Sequence, residues 1–290
     1  MSSVEPELIL GLDEFRSCIH EAVSRGKWDA WKRTYFKPFQ AAFQPMLDVL
    51  YQVELDGLRP YVEALDFDKA LAAAEWFVES GGVERVRACL ERCIVVLPPM
   101  HSFPVYLIVG LGHAHGMALP GEAPYIFIGL ESVECLGALD ELVAHEYNHL
   151  IRVQRFYAHR SDWSIERIPI GEFTLSEGLA TIFSLTHTHQ AVSSEHIIEA
   201  VPSLGSVKEA LGGERSMAAD VAAHWEQPAT REMVVRFIES GVAYYIGARA
   251  IASLMDDGHD ICSLTRTDPF ALDALARPRV EEMASELGLR

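Results

Sequence analysis

Residues 93–131 constrain the fold more than any other stretch. "CIVVLPP" and "FPVYLIVGLG" are short, apolar and β-branched, and "PYIFIGLES" repeats that character after the Gly/Pro-punctuated "HAHGMALPGEA". Such composition suits three strands, and the punctuated stretch suits a turn. Three strands bury too little apolar surface to stand alone, so a small, mostly antiparallel sheet of this kind must be covered by helices. Both flanks supply them. Residues 1–92 read as helical: "AWKRTYFKPFQAAFQPMLDVLYQV" spaces its apolar residues by three and four, with Pro38 and Pro45 starting or bending helices. "DFDKALAAAEWFVESGG" has an Ala-rich helical centre and stops at Gly81–Gly82. Beyond the sheet, helical patterning covers roughly 138–158, 172–192, 206–224, 230–256 and 270–287, with Pro and Gly at the breaks. Helices, then a small sheet, then helices is an α+β order rather than alternating βαβ. The expected organisation is an N-terminal helical region, 1–92, packed on a core of 93–290 that ends in helices.

Bulk properties remove whole classes of function. The chain has 290 residues, enough for a sizeable buried core. Its 42 acidic and 24 basic side chains leave a net charge of −18. A surface this negative repels nucleic acid and anionic membranes, so neither is an expected partner. No run of about 18 apolar residues offers a transmembrane helix. The N-terminus has no basic segment leading into a long apolar run, so no signal peptide is expected and a cytoplasmic location is. The five cysteines are odd in number and scattered, which suits reduced thiols. Cys89 and Cys93, four apart on one helix face, read as buried core thiols.

The chemistry concentrates in "LVAHEYNHLIRV", residues 142–153. Positions i and i+4 of a helix differ by about 40° around the axis and one turn along it. His145 and His149 can therefore reach one ion from one side. Glu146 lies beside that face, close enough to hold a water without ligating the metal, while Leu142, Val143, Leu150 and Val153 bury the helix. A metal site of this kind needs a third protein ligand. An HExxHxxGxxH site is excluded, because Arg152 and Arg155 stand where its glycine and histidine would be. His159 would require the helix to break early. Glu177, in "FTLSEGLATIFSL", opens a second helix that a hairpin would bring against the histidine pair. Gly178 and Ala180 are small and permit close helix approach, and Thr181, one turn on, is placed to hydrogen-bond Glu177. Taken alone, Glu177 reads as an acid in a helix's first turn, favoured by the dipole. A di-iron bundle needs two Glu-x-x-His motifs, and the chain has one, "EYNH".

"AHEYNHL" followed by "LSEGLATIF" resembles the glutamate-type branch of the zincin metallopeptidases. More narrowly, it is similar to a bacterial family described only as predicted zinc-dependent proteases of unknown substrate. The glycine-bearing strand pair "VYLIVGLGHAHG…PYIFIGLE" and the run Glu177–Ala180 carry the likeness too, with "GVAYYIGARAI" further on. The resemblance spans roughly residues 93–257. It implies a zincin-like fold and one Zn2+ ion held by His145, His149 and Glu177. It also implies Glu146 as catalytic base and a peptide or protein as substrate. Two departures stand out: Asn148, where many relatives have histidine, and a loose match at the Tyr/Gly run. A tetrahedral intermediate would need a donor besides the metal. Tyr244 is the first candidate and Tyr245 the second, the alternative being two packed core aromatics. His113 and His115, beside a free strand edge, are candidates for substrate contact, against exposed turn residues. Two other functions stay open: a catalytically silent protein of the same fold that binds a partner, and a hydrolase of a non-peptide amide or ester.

Overall fold

The computed structural model describes residues 5–51, 53–112, 114–120, 123–158, 167–188, 192–201 and 207–285. The chain divides into two compact units, Met1–His159 and Arg160–Arg290. It is mostly helical with one small sheet, an α+β chain.

The sheet belongs to the first unit. Strands β1 (Glu7–Leu10), β2 (Pro104–Ile108), β3 (Gly116–Leu119) and β4 (Tyr125–Gly129) lie in the order β1-β2-β4-β3. The expectation of a mostly antiparallel sheet is corrected here. β1 pairs parallel with β2 and β2 parallel with β4, and only β3 runs antiparallel to β4. β1 arises in a region read as wholly helical, and β3 in the stretch read as a turn. β4 is buried along its whole length between β2 and β3, as its unbroken apolar run allows.

"CIVVLPP" does not enter the sheet. Its first four residues finish the helix Gly82–Val96. Gly82, Val86, Cys89, Leu90 and Cys93 are buried at helical spacing, and that periodicity outweighs the β-branched run. Val95 and Val96 are left facing solvent.

Helix Leu139–Arg152 packs on this helix and on β3 and β4. Polar anchors hold it. At its start, Asp140 accepts from Arg85 at 2.8 Å and from Arg92 at 2.9 Å. In its middle, the Tyr147 hydroxyl donates to the Leu97 carbonyl at 2.6 Å. Just beyond it, the buried Gln154 amide accepts from Met100 N–H and donates to the His101 carbonyl, at 2.9 and 3.0 Å.

In the second unit, helices Ile170–Thr188, Val207–Ala223, Val242–Asp256 and Pro269–Ala284 share the core. The chain entering the first of them is tied to residues 225–229: Ile170 N–H donates to Gln227 at 2.8 Å and Gly171 N–H to Trp225 at 2.9 Å. Helix Ile170–Thr188 is buried almost all round, from Ile170 through Leu175, Leu179 and Ile182 to Leu185. Its closest neighbour is helix Val242–Asp256, which touches it backbone to backbone. A Cβ on Gly178 would overlap the Gly247 carbonyl, and one on Gly247 would overlap the Thr174 carbonyl. The small residue beside Glu177 thus serves a contact with Gly247. No helix among the described residues is long and apolar enough to cross a membrane.

Candidate metal centre

Helix Leu139–Arg152 has Asp140 and Glu141 in its first turn and Arg152 in its last, as the helix dipole favours. Val143, Ala144, Tyr147, Leu150 and Ile151 bury it. His145 and His149 project from the remaining face, both partly buried. Their Nε2 atoms are 3.0 Å apart and their ring planes cross at 76°. Two imidazole nitrogens this close either share one proton or turn both lone pairs toward one cation.

Glu177 completes a group. It is 7% exposed, and one ligand-type atom from each of His145, His149 and Glu177 lies within 4.8 Å of the others. This is the one such set of three found among the described residues. Two imidazoles and a carboxylate form a nitrogen and oxygen donor set that suits zinc and leaves a fourth position open. Zinc bonds of 2.0–2.1 Å in a tetrahedron separate ligand atoms by about 3.3 Å. The 3.0 Å between the imidazole nitrogens is within a few tenths of that edge, so the histidine pair fits the ion, and the Glu177 carboxylate lies within 4.8 Å of it.

Glu146 is also 7% exposed. β3 lies against it: a Cβ on Gly116 would stand 2.9 Å from Glu146 Cγ, 3.2 Å from its Oε1 and 3.1 Å from Leu142 Cδ1. The loop that leads to β3 is held by Glu131, whose carboxylate oxygens accept from the Gly110 and Gly112 amides, each at 2.9 Å. Burial raises the Glu131 carboxyl above its ordinary range, while these hydrogen bonds and His115 pull it back. Neither Gly116 nor Glu131 stands out in the sequence. Glycines at 110 and 112 signal a backbone cradle, but its occupant is a residue of another segment, read there as the tail of a strand.

The remaining candidates fall in different places. His115 is exposed at the entry to β3, and its carbonyl accepts from Gly129 N–H at 2.9 Å. His113 and His159 lie outside the described residues. Thr181 is buried one turn beyond Glu177. Tyr244 is partly buried on helix Val242–Asp256. Tyr245 is fully buried, and its hydroxyl donates to Glu214 at 3.0 Å, with Arg249 donating to the other Glu214 oxygen at 3.1 Å. Burial, and then the Glu214 charge, raise the Tyr245 phenol and keep its proton on. Cys89 and Cys93 are buried, as expected of core thiols.

A family model described as "Predicted Zn-dependent protease (DUF2268)" matches residues 87–195. That span is just over a third of the chain. It includes β2, β3, β4, His145, Glu146, His149 and Glu177, and ends before Tyr244. No curated protein and no solved structure matches.

Proposed function

We propose that the chain is a zinc-dependent metallopeptidase of the glutamate-type zincin class, cytoplasmic and acting on a peptide or protein substrate. His145, His149 and Glu177 would hold one Zn2+ ion, and Glu146 is the general base. The convergence of three ligand-type atoms within 4.8 Å carries the reading. The likeness of residues 87–195 to a family described as predicted zinc-dependent proteases supports it.

A bound zinc ion supplies Lewis acidity, lowering the pKa of a water toward neutrality and polarising a substrate carbonyl. The chain's own residues do the rest. His145 and His149 must present unprotonated Nε2 atoms, so each ring carries its proton on Nδ1. Glu146 takes a proton from the attacking water and delivers it to the departing amine nitrogen. Its low exposure keeps bulk water from competing for that proton. Among the described residues β3 is the terminal strand of the sheet, and an extended peptide paired along it would run past Glu146. Tyr244 is the proposed oxyanion donor, since Glu214 engages the Tyr245 hydroxyl.

The test is a peptide-library digest with wild type and Glu146→Gln, alongside zinc content. Wild type is expected to cleave. The variant is expected to keep its zinc and lose about 10²–10⁴-fold in turnover. Stoichiometric zinc with an inert wild type would sink the peptidase reading and leave a silent, partner-binding protein or a hydrolase of a non-peptide amide or ester.

A further inference from the structure

Gly116 opens β3, and the place its Cβ would take is already filled. Glu146 Cγ is 2.9 Å away, Glu146 Oε1 3.2 Å and Leu142 Cδ1 3.1 Å. Packed carbons prefer about 3.5–4.0 Å, so an alanine at 116 forces something to yield. The strand is poorly placed to do so. Gly116 is in register with Ile128 of β4, and Gly129 N–H binds the His115 carbonyl immediately before it. The loop that delivers the strand is pinned by Glu131 through the Gly110 and Gly112 amides. Glu131 in turn is closely packed: a Cβ on Gly110 would lie 3.1 Å from one of its oxygens, and one on Gly129 3.5 Å from the other. Leu142 relieves its own contact by turning a terminal methyl. The Glu146 side chain, with three torsions, absorbs what remains.

The geometry points to Gly116 as a positioning residue for the base: bare backbone at the start of β3 sets where the Glu146 carboxylate rests, and any side chain there moves it. Its catalytic consequence rests on the reading of Glu146 as general base; the packing relation does not. A general base works only within about 2.6–3.2 Å of the proton it takes. A misplacement of about 1 Å costs on the order of 10²-fold, so a shift of about half an ångström corresponds to about ten-fold.

Two readouts test this. The first is a thermal-melt cycle on metal-free protein with Gly116→Ala, Glu146→Ala and the double variant. Gly116→Ala is expected to lower Tm by about 2–8 °C in the wild-type background. With Glu146→Ala it is expected to change Tm by less than about 1 °C or to raise it, because the overlapping atoms are gone. Equal shifts in both backgrounds, or no shift in the wild-type background, would overturn the assignment. If Gly116→Ala alone fails to fold, the double variant is expected to fold, and its failure would equally overturn it. The second readout is peptide cleavage by the zinc-loaded protein. Gly116→Ala is expected to lose about ten-fold in kcat, with KM within about two-fold and zinc content unchanged. Wild-type kcat in Gly116→Ala, or a loss that follows lost zinc, would overturn the positioning role. If wild type binds zinc but cleaves nothing, the peptidase reading fails and the melt cycle alone decides Gly116.

Discussion

Helix Leu139–Arg152 is fixed by polar anchors along its length, and helix Ile170–Thr188 by a lack of side chains in its middle. The first carries His145 and His149 and is tied through Asp140, Tyr147 and, just past its end, Gln154. The second carries Glu177 and lies with Gly178 against the Gly247 backbone. The difference lies in how each support can fail. Arg85 and Arg92 are 40% and 52% exposed where they meet Asp140, and exposed pairs of this kind contribute about 0–1 kcal/mol each. Losing one such anchor leaves the others. A backbone-to-backbone contact has no rotamer to turn aside, so a single methyl group removes it. The support of the histidines is distributed, and that of the carboxylate is concentrated at two glycines.

The sharpest break of this comparison is Gly247→Ala. Its Cβ would overlap the Thr174 carbonyl, one turn before Glu177. A cost of more than about 3 kcal/mol is expected, near the top of the overpacking range, with loss of the second unit's cooperative melt by circular dichroism. Gly178→Ala is expected to behave alike, and a wild-type melt in both would show that the helices are not in such contact.

Alkaline pH probes the buried phenols of each unit. Burial raises Tyr35 and Tyr125 in the first unit and Tyr245 in the second above the ordinary tyrosine value of 10.0. Each folded pKa is raised, so each contribution is complete below pH 10 and is lost as pH rises above it, by up to about 1.4 kcal/mol per pH unit per group. Urea titrations from pH 8 to 11 are expected to show flat stability and then a fall. Tyr125→Phe is expected to flatten that fall, and an unchanged slope would remove Tyr125 from it.

Tyr147→Phe removes the donor to the Leu97 carbonyl, and about 1–2 kcal/mol of stability is expected to go with it, read as a lower urea midpoint at unchanged slope. Asp140→Asn is the mildest change. It weakens two half-exposed ion pairs, and a loss under about 1 kcal/mol is expected, shrinking further in high salt. A larger loss would mean that the histidine helix depends on one anchor after all.

Local geometry was legible in the sequence and long-range geometry was not. The His145–His149 pair follows from one turn of helix, and the helices at 170–188, 207–223 and 269–284 follow from periodicity and their Pro and Gly stops. The direction of the sheet is set by which distant strands pair, and a four-residue run such as "ELIL" at 7–10 gives no sign that it joins β2. β3 hid in a Gly/Pro-rich stretch because its first residue is there for lack of a side chain. Gly178 was recognisable as a point of close approach, but its partner, about 70 residues further on, was not. Glu131 was unreadable for the same reason: a carboxylate's partners are amides of another segment, and backbone amides leave no mark in a sequence.

Elemental analysis of purified protein bears most directly on the proposed centre. One zinc per chain is expected in wild type and in Glu146→Gln, whose side chain is not a ligand. Marked loss of zinc is expected in His145→Ala, His149→Ala and Glu177→Ala, each of which removes one of the three converging donors. Zinc at wild-type occupancy in Glu177→Ala would contradict the assignment of that carboxylate, and a wild-type protein that takes up no zinc would contradict the centre itself.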